Sequence, residues 1–397
     1  MTQRAHDSVL GGLAVEEFLK KHWQKKPLLI RNAFPDFETP LSADELAGLA
    51  CEDGIESRVV INDSERYELR QGPFSDRDFA ELPEQGWTLL VQDVDKHLPD
   101  LADFLEHFNF IPNWRIDDLM ISYAAEGGGV GPHTDQYDVF LLQAAGKRRW
   151  QVAESFDPSI IEGIDLKVLK TFTPEADWVL EPGDMLYLPP GVAHDGVALD
   201  SDCMTWSIGF RAPALQDMIS DFVELVQQRV EDDTMYSDAD LSLEDSRDGK
   251  LSDAGLKRAR DLLRSALEQD DAEMNRWFGR FVTEPKAWLA TAAPEDRWSP
   301  EALKSALATQ DFERDSRSRM TWLDDGENTI LFIDGDAWTL EKGKESGLDE
   351  LLGMICTRRL YPAGSFGKWL DDDAAFSLLL QLADHGALKP VIPGDSE

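Results

Sequence analysis

The spacing of apolar positions divides the chain into three stretches. Up to about residue 210, short alternating or continuous apolar runs are punctuated by Gly and Pro. Val15, Phe18, Leu19 and Trp23 keep helical spacing, and Ser42 with Glu45 marks a capped helix start before Leu46 and Leu49. Strands are expected at 27–30, 57–61, 87–91 and 119–123, and several more between 133 and 210. A double-sheet jelly roll absorbs such a many-stranded antiparallel pattern. Past Arg211-Ala212-Pro213 the period becomes that of amphipathic helices. Leu215, Met218, Ile219, Phe222, Leu225 and Val226 form one stripe, and Leu256, Ala259, Leu263, Ala266 and Leu267 another. Between them lies an acidic, irregular segment with Asp232, Asp233, Asp238, Asp240, Glu244, Asp245 and Asp248. The two stripes can pack on the barrel or on a second subunit. Ser299-Pro300 opens a third region with helices expected at 348–356 and 374–383 and strand-like runs at 320–324 and 329–340. Turn signals at Asp325-Gly326 and Asp334-Gly335 make this a winged-helix-like α+β module. The expected boundaries are 1–212, 213–288 and 289–397.

A chain of 397 residues holds two or three domains, and 42% hydrophobic content is that of an ordinary globular protein. No apolar run is long enough to cross a bilayer, and residues 1–10 lack the basic and apolar regions of a signal peptide, so a cytoplasmic location is expected. Cys51, Cys203 and Cys356 show no Cys-x-x-Cys spacing and imply neither a disulfide framework nor a thiolate metal site. The net charge of -38 opposes binding to a nucleic-acid backbone and favours a basic polypeptide partner, although an acidic surface also serves solubility or a salty habitat. By the same argument the winged-helix-like module, mostly acidic, serves interaction or stability rather than DNA.

Candidate chemistry gathers at two places. In an extended strand His133 and Asp135 project from one face, and His194 follows an apolar strand and a Pro/Gly turn. Two imidazoles and a carboxylate that leave other positions of an octahedral ion open suit non-haem Fe(II), with room for a bidentate 2-oxo acid and dioxygen (O2). Strand parity puts Arg148, Trp150 and Val152 on one face of the next strand and Lys147, Arg149 and Gln151 on the other. Arg148 is therefore expected inside the barrel, where a guanidinium needs an anion: the far carboxylate of the 2-oxo acid, or a remote Asp or Glu. Tyr137 is in phase with His133 and Asp135, as a cavity wall or an aromatic core residue. Asp118, with Met120 and Ser122, is the candidate for binding a cationic substrate group, although the phase of Asp117-Asp118 is open. His6, His22, His97, His107 and His385 have no ligand spacing.

The order Gly183, five residues, Pro189, one residue, Gly191, two residues, His194 reproduces the second sequence motif of cupin barrels. Residues 133–150 and 181–194 resemble the JmjC-type cupin oxygenases. More closely, they are similar to the bacterial ribosomal oxygenases that hydroxylate an arginine of a large-subunit ribosomal protein. The resemblance extends to residues 18–27, 113–122 and 206–213. It implies a double-stranded β-helix (jelly-roll/cupin) barrel with a helical dimerisation segment, so a homodimer. It also implies Fe(II) on His133, Asp135 and His194, 2-oxoglutarate anchored by Arg148, and the β-carbon of an arginine as target. Related enzymes modify histidine. A non-enzymatic, metal-binding cupin joining proteins in an assembly is the rival reading. Such a protein is expected to lack one of the ligands or the inward arginine, and this chain keeps all four.

Overall fold

The computed structural model describes residues 9–62, 67–231, 233–243, 249–326, 328–341 and 347–391. Of the acidic segment, Asp232, Glu244, Asp245 and Asp248 lie outside the described residues, as do residues 1–8. The strands that build the barrel are β1 (Leu28–Ile30), β2 (Ser57–Asn62), β3 (Tyr67–Gln71), β4 (Trp87–Val91), β5 (Ile116–Ala124) and β6 (His133–Thr134), then β7 (Asp138–Ala145), β8 (Arg148–Ala153), β9 (Ala176–Leu180), β10 (Met185–Leu188), β11 (Ala193–Ala198) and β12 (Cys203–Phe210). They form an eight-stranded sheet in the order β1-β10-β7-β12-β5-β4-β2-β3 and a four-stranded sheet in the order β6-β11-β8-β9. Every pairing is antiparallel. This is the jelly-roll barrel that the punctuated apolar runs predict.

Side-chain alternation decides what each sheet face does. On the large sheet Phe140 and Leu142 of β7, Leu119 and Ile121 of β5, and Trp206, Ile208 and Phe210 of β12 join one core with Phe18 and Leu46 from the helices Val15–Lys21 and Ala43–Leu49. Each such side chain, fully buried, contributes about 1.5–3 kcal/mol. The intervening positions, Val139 and Leu141, Asp118, Met120 and Ser122, Thr205, Ser207 and Gly209, line a cavity of about 620 Å³ between the sheets. Val139 and Leu141 also belong to a second, smaller core with Trp150, Val152, Leu186 and Leu188, and polar residues enter the strands where this face borders the cavity.

The described residues form two compact units, one drawn from 9–212, 285–319 and 347–391, the other from 213–284 and 320–341. The first therefore contains the barrel and a C-terminal part with helices Pro300–Thr309, Leu348–Thr357 and Asp373–His385 around a small sheet of β13 (Phe312–Arg314), β17 (Leu360–Tyr361) and β18 (Leu388–Pro390). In the second, helices α1 (Leu215–Arg229), α2 (Asp253–Leu267) and α3 (Asp271–Thr283) accompany a meander of β14 (Met320–Asp324), β15 (Asn328–Ile333) and β16 (Asp336–Glu341). Gly279 of α3 has no side chain because the Phe332 ring of β15 occupies that space, 2.4 Å from where a Cβ would stand. Arg280 Nε donates to the Gly335 carbonyl at 2.9 Å, tying α3 to the β15–β16 turn. No helix among the described residues is long and apolar enough to cross a membrane.

Candidate active site

Two glycine turns bring the candidate ligands together. Gly131 and Gly191 adopt positive φ (81° and 78°), which a side chain disfavours. After them, β6 and β11 pair so that His133 lies opposite His194. The Gly191 N–H donates to the Asp135 carbonyl at 2.7 Å and fixes the third residue beside the pair. His133 Nε2 lies 3.8 Å from Asp135 Oδ1, and His194 Nε2 lies 3.5 Å from Asp135 Oδ2. One ligand atom from each residue falls within 4.8 Å of the others. No other three His, Cys, Asp or Glu side chains converge in this way among the described residues.

The imidazoles are oriented from behind. His133 Nδ1 bonds the Gly131 carbonyl at 2.8 Å and His194 Nδ1 the Val192 carbonyl at 3.0 Å. A carbonyl only accepts, so both Nδ1 atoms carry the proton and both Nε2 lone pairs face the centre. Burial, and then the neighbouring His133 ring, push His194 well below the usual histidine range, which keeps it a neutral ligand at physiological pH. Gly183, in the motif ahead of His194, has φ 87°, and a Cβ there would stand 2.3 Å from the Phe34 carbonyl oxygen. That glycine lets β1 and β10 close on one another.

Arg148 is buried, only 5% exposed, and lines the same cavity. Its guanidinium lies over the Trp150 ring at 5.5 Å, and its Nε and Nη2 are buried without a hydrogen-bond partner among the described residues. Its neighbour Arg149, on the opposite face, is half-exposed and paired with Asp177. A buried guanidinium with unsatisfied donors beside an open cavity fits a bound carboxylate, which accepts two parallel bonds. A site with two imidazoles and one carboxylate can hold a divalent first-row metal, and the Arg148 donors can hold an anionic cosubstrate beside it.

Asp118 is 7% exposed, with Oδ2 accepting the Asp93 N–H at 3.0 Å. With the Gln92 amide oriented to satisfy both its ends, Gln92 also donates to Oδ2 at 3.1 Å and accepts from Arg58 Nη1. Burial first, then Asp117, Asp93 and Asp95, push Asp118 up to about 7. β5 carries a bulge here, three steps from Leu119 to Ile116 opposing two from Ile208 to Phe210 on β12, so Asp117 and Asp118 together face Gly209, and both line the cavity. A Cβ at 209 would come within 3.2 Å of Oδ1. Asp117, the other possible inward residue, bonds Arg319 Nη2 at 2.8 Å. Tyr137 also lines the cavity, 41% exposed, with its ionisation pushed up by burial and then by the Asp135 charge. Sequence reasoning missed Arg58, Gln92, Asp93 and Gly209. The first three lie on or next to strands with no motif, and only the glycine in an otherwise apolar strand is a visible signal.

The JmjC domain family matches residues 103–218 and the ROXA-like winged helix family residues 266–389. The ribosomal protein uL16 3-hydroxylase of Escherichia coli is 35% identical over 93% of this chain and 96% of its own length. A probable ribosomal oxygenase of Haemophilus influenzae is 38% identical over 65% of each chain. The solved structure of YcfD, a ribosomal oxygenase from Escherichia coli, in complex with cobalt and 2-oxoglutarate superposes with a TM-score of 0.79 at 34% identity, covering 95% of this chain and 98% of that one. Barrel, winged helix and near full-length similarity agree, and the chain belongs to the JmjC-type ribosomal oxygenases, 2-oxoglutarate-dependent protein hydroxylases.

Proposed function

We propose that this protein is an Fe(II)- and 2-oxoglutarate-dependent oxygenase that hydroxylates the β-carbon of an arginine in a large-subunit ribosomal protein. The observation that carries the reading is a single cavity lined by His133, Asp135 and His194, by the unsatisfied Arg148 guanidinium and by the Asp118 carboxylate. His133, Asp135 and His194 hold the metal. Arg148 takes the far carboxylate of 2-oxoglutarate through charge-assisted hydrogen bonds, and Trp150 beneath it excludes water. Bound Fe(II) supplies the chemistry that uses O2 and 2-oxoglutarate to oxidise the substrate carbon, with succinate and carbon dioxide as co-products. Asp118 pairs with the substrate guanidinium, and Tyr137 walls the entrance.

The Escherichia coli relative is a uL16 3-hydroxylase by name, and carbon 3 of an amino acid is its β-carbon. Arginine is favoured over histidine because a buried carboxylate needs a cation, and a guanidinium is always charged where an imidazole is mostly neutral near pH 7. The net charge of -38 favours a basic ribosomal protein over direct contact with RNA, and a ribosomal substrate in turn supports a cytoplasmic location. A homodimer through α1 and α2 is supported by apolar side chains left in solvent, Leu215 at 70% and Leu263 at 65% exposed. Mass spectrometry of ribosomal proteins from cells with and without the gene tests the function. One added oxygen on an arginine peptide of uL16 is expected, and an oxygen on histidine, or none, overturns the substrate.

A further inference from the structure

Lys286 belongs to the same compact unit as the barrel, yet lies far along the sequence from every strand of it. It lines the cavity, its side chain is 25% exposed, and its Nζ donates to Asp93 Oδ2 at 2.6 Å. Asp93 is almost wholly buried and stands in the left-handed region (φ 54°, ψ 29°), where Asp is tolerated better than most residues. That turn lets one residue face two ways. Its side chain reaches Lys286, while its backbone N–H donates to Asp118 Oδ2. Asp93 Oδ1 is buried without a partner among the described residues, so Lys286 carries the main compensation for this carboxylate.

The groups facing Asp118 are mostly acidic. Asp117 lies on its own strand, and Asp93 and Asp95 come from the helix Val94–His97 and its cap. Among the cations nearby, Lys96 pairs with Asp95, Arg319 and Arg211 with Asp117, and Arg58 comes from β2 through Gln92. Lys286 is the cation that meets Asp93 and whose charge also acts on Asp118. Burial alone would lower Lys286, but Asp93, then Asp118 and Asp117, hold it above the usual lysine range and therefore charged.

We propose that Lys286 is a positioning residue for the substrate cation: by holding Asp93 it fixes the N–H that orients Asp118, and its charge lets Asp118 stay ionised among three other aspartates with Oδ1 free for the substrate. The inference rests on the reading of Asp118 as the acceptor of the substrate guanidinium. Asp118 is pushed up to about 7, so its ionised fraction near neutral pH is sensitive to any lost positive charge. Loss of Lys286 leaves more Asp118 protonated, and the substrate must then displace a proton to bind.

The test is the pH profile of kcat/KM for an arginine-containing peptide from uL16, with metal and 2-oxoglutarate saturating. Lys286→Met is expected to move the acidic limb about one pH unit upward and raise peptide KM near pH 7 about tenfold, with recovery at higher pH. Lys286→Arg is expected to restore the original limb, which a merely structural role does not predict. If Lys286→Met does not accumulate folded, Lys286→Gln, which keeps a donor for Asp93 without charge, is read in the same way. Asp118→Asn is measured alongside. Loss of peptide binding in Asp118→Asn together with an unmoved acidic limb in both uncharged Lys286 variants overturns the role of Lys286 alone. Unaltered peptide binding in Asp118→Asn overturns the reading of Asp118, and the role of Lys286 with it.

Discussion

Removing the Arg148 guanidinium probes cosubstrate binding with little collateral disturbance, because its Nε and Nη2 hold no partner that the loss would strand. A hydrogen bond to a charged group contributes about 1.5–3 kcal/mol, so Arg148→Met should raise the 2-oxoglutarate requirement about tenfold to over a hundredfold. Metal affinity without 2-oxoglutarate should stay near that of the native protein. Arg148→Lys keeps the charge but not the planar fork, and should retain part of the activity. Succinate release titrated against 2-oxoglutarate checks this, and an unchanged requirement in Arg148→Met removes the anchor. Asp118 gives a second residue-level expectation through its raised pKa. Unfolded, the group ionises near 3.8; folded, it holds its proton up to about 7. The folded state thus binds more protons between these values, so its contribution is fully present below 3.8 and is lost as pH rises through about 7. Without substrate, Asp118→Asn should therefore gain stability relative to the native protein between about pH 5 and pH 8, by about 1–3 kcal/mol. Denaturant melts at the two pH values check the sign. The inward direction of Arg148 was legible in the sequence because parity is local. The phase of Asp117 and Asp118 was not, because a bulge in β5 lets both line the cavity, and only a long-range contact separates them: Arg319 takes Asp117.

At the scale of elements, the strand at 87–91 keeps its expected limits, and the one expected at 27–30 begins one residue later, at Leu28, because Pro27 has no N–H to give to a ladder. The expected strand at 119–123 extends to Ile116–Ala124, because partners on both edges, β4 and β12, satisfy backbone groups that an isolated segment would leave open. Strand β3, half exposed and rich in charge, has no apolar pattern to announce it and exists by pairing with β2. In the helical unit Phe222 stacks edge-on against Trp277 at 5.2 Å, so it faces its own subunit's α3. Leu215 and Ile219, at 70% and 53% exposed, are the better probes of a twofold contact. Leu215→Glu with Ile219→Glu should convert a dimer to a monomer in sedimentation at micromolar concentration while the helices persist by circular dichroism. A native protein that already sediments as a monomer removes the interface.

For the molecule as a whole, a charge of -38 should make capture of a basic substrate dependent on ionic strength. Raising salt from about 0.05 to about 0.5 M shortens the Debye length severalfold, so peptide KM should rise several-fold while kcat changes little. A KM indifferent to salt would make the acidic surface irrelevant to substrate capture. The sequence by itself determined the barrel, the facial grouping of His133 with Asp135, the arrival of His194 after a glycine turn and the inward side of Arg148. Each depends on a two-residue period or on backbone conformations that few residues adopt, and both are properties of adjacent positions. Only the tertiary structure decided that His133 stands opposite His194, that Asp117 and Asp118 share the bulge facing Gly209, and that Lys286 reaches Asp93 across 193 residues. Register and long-range ion pairing minimise the free energy of the packed chain, in which a buried carboxylate takes whatever cation the fold brings near. No local pattern encodes which cation that will be.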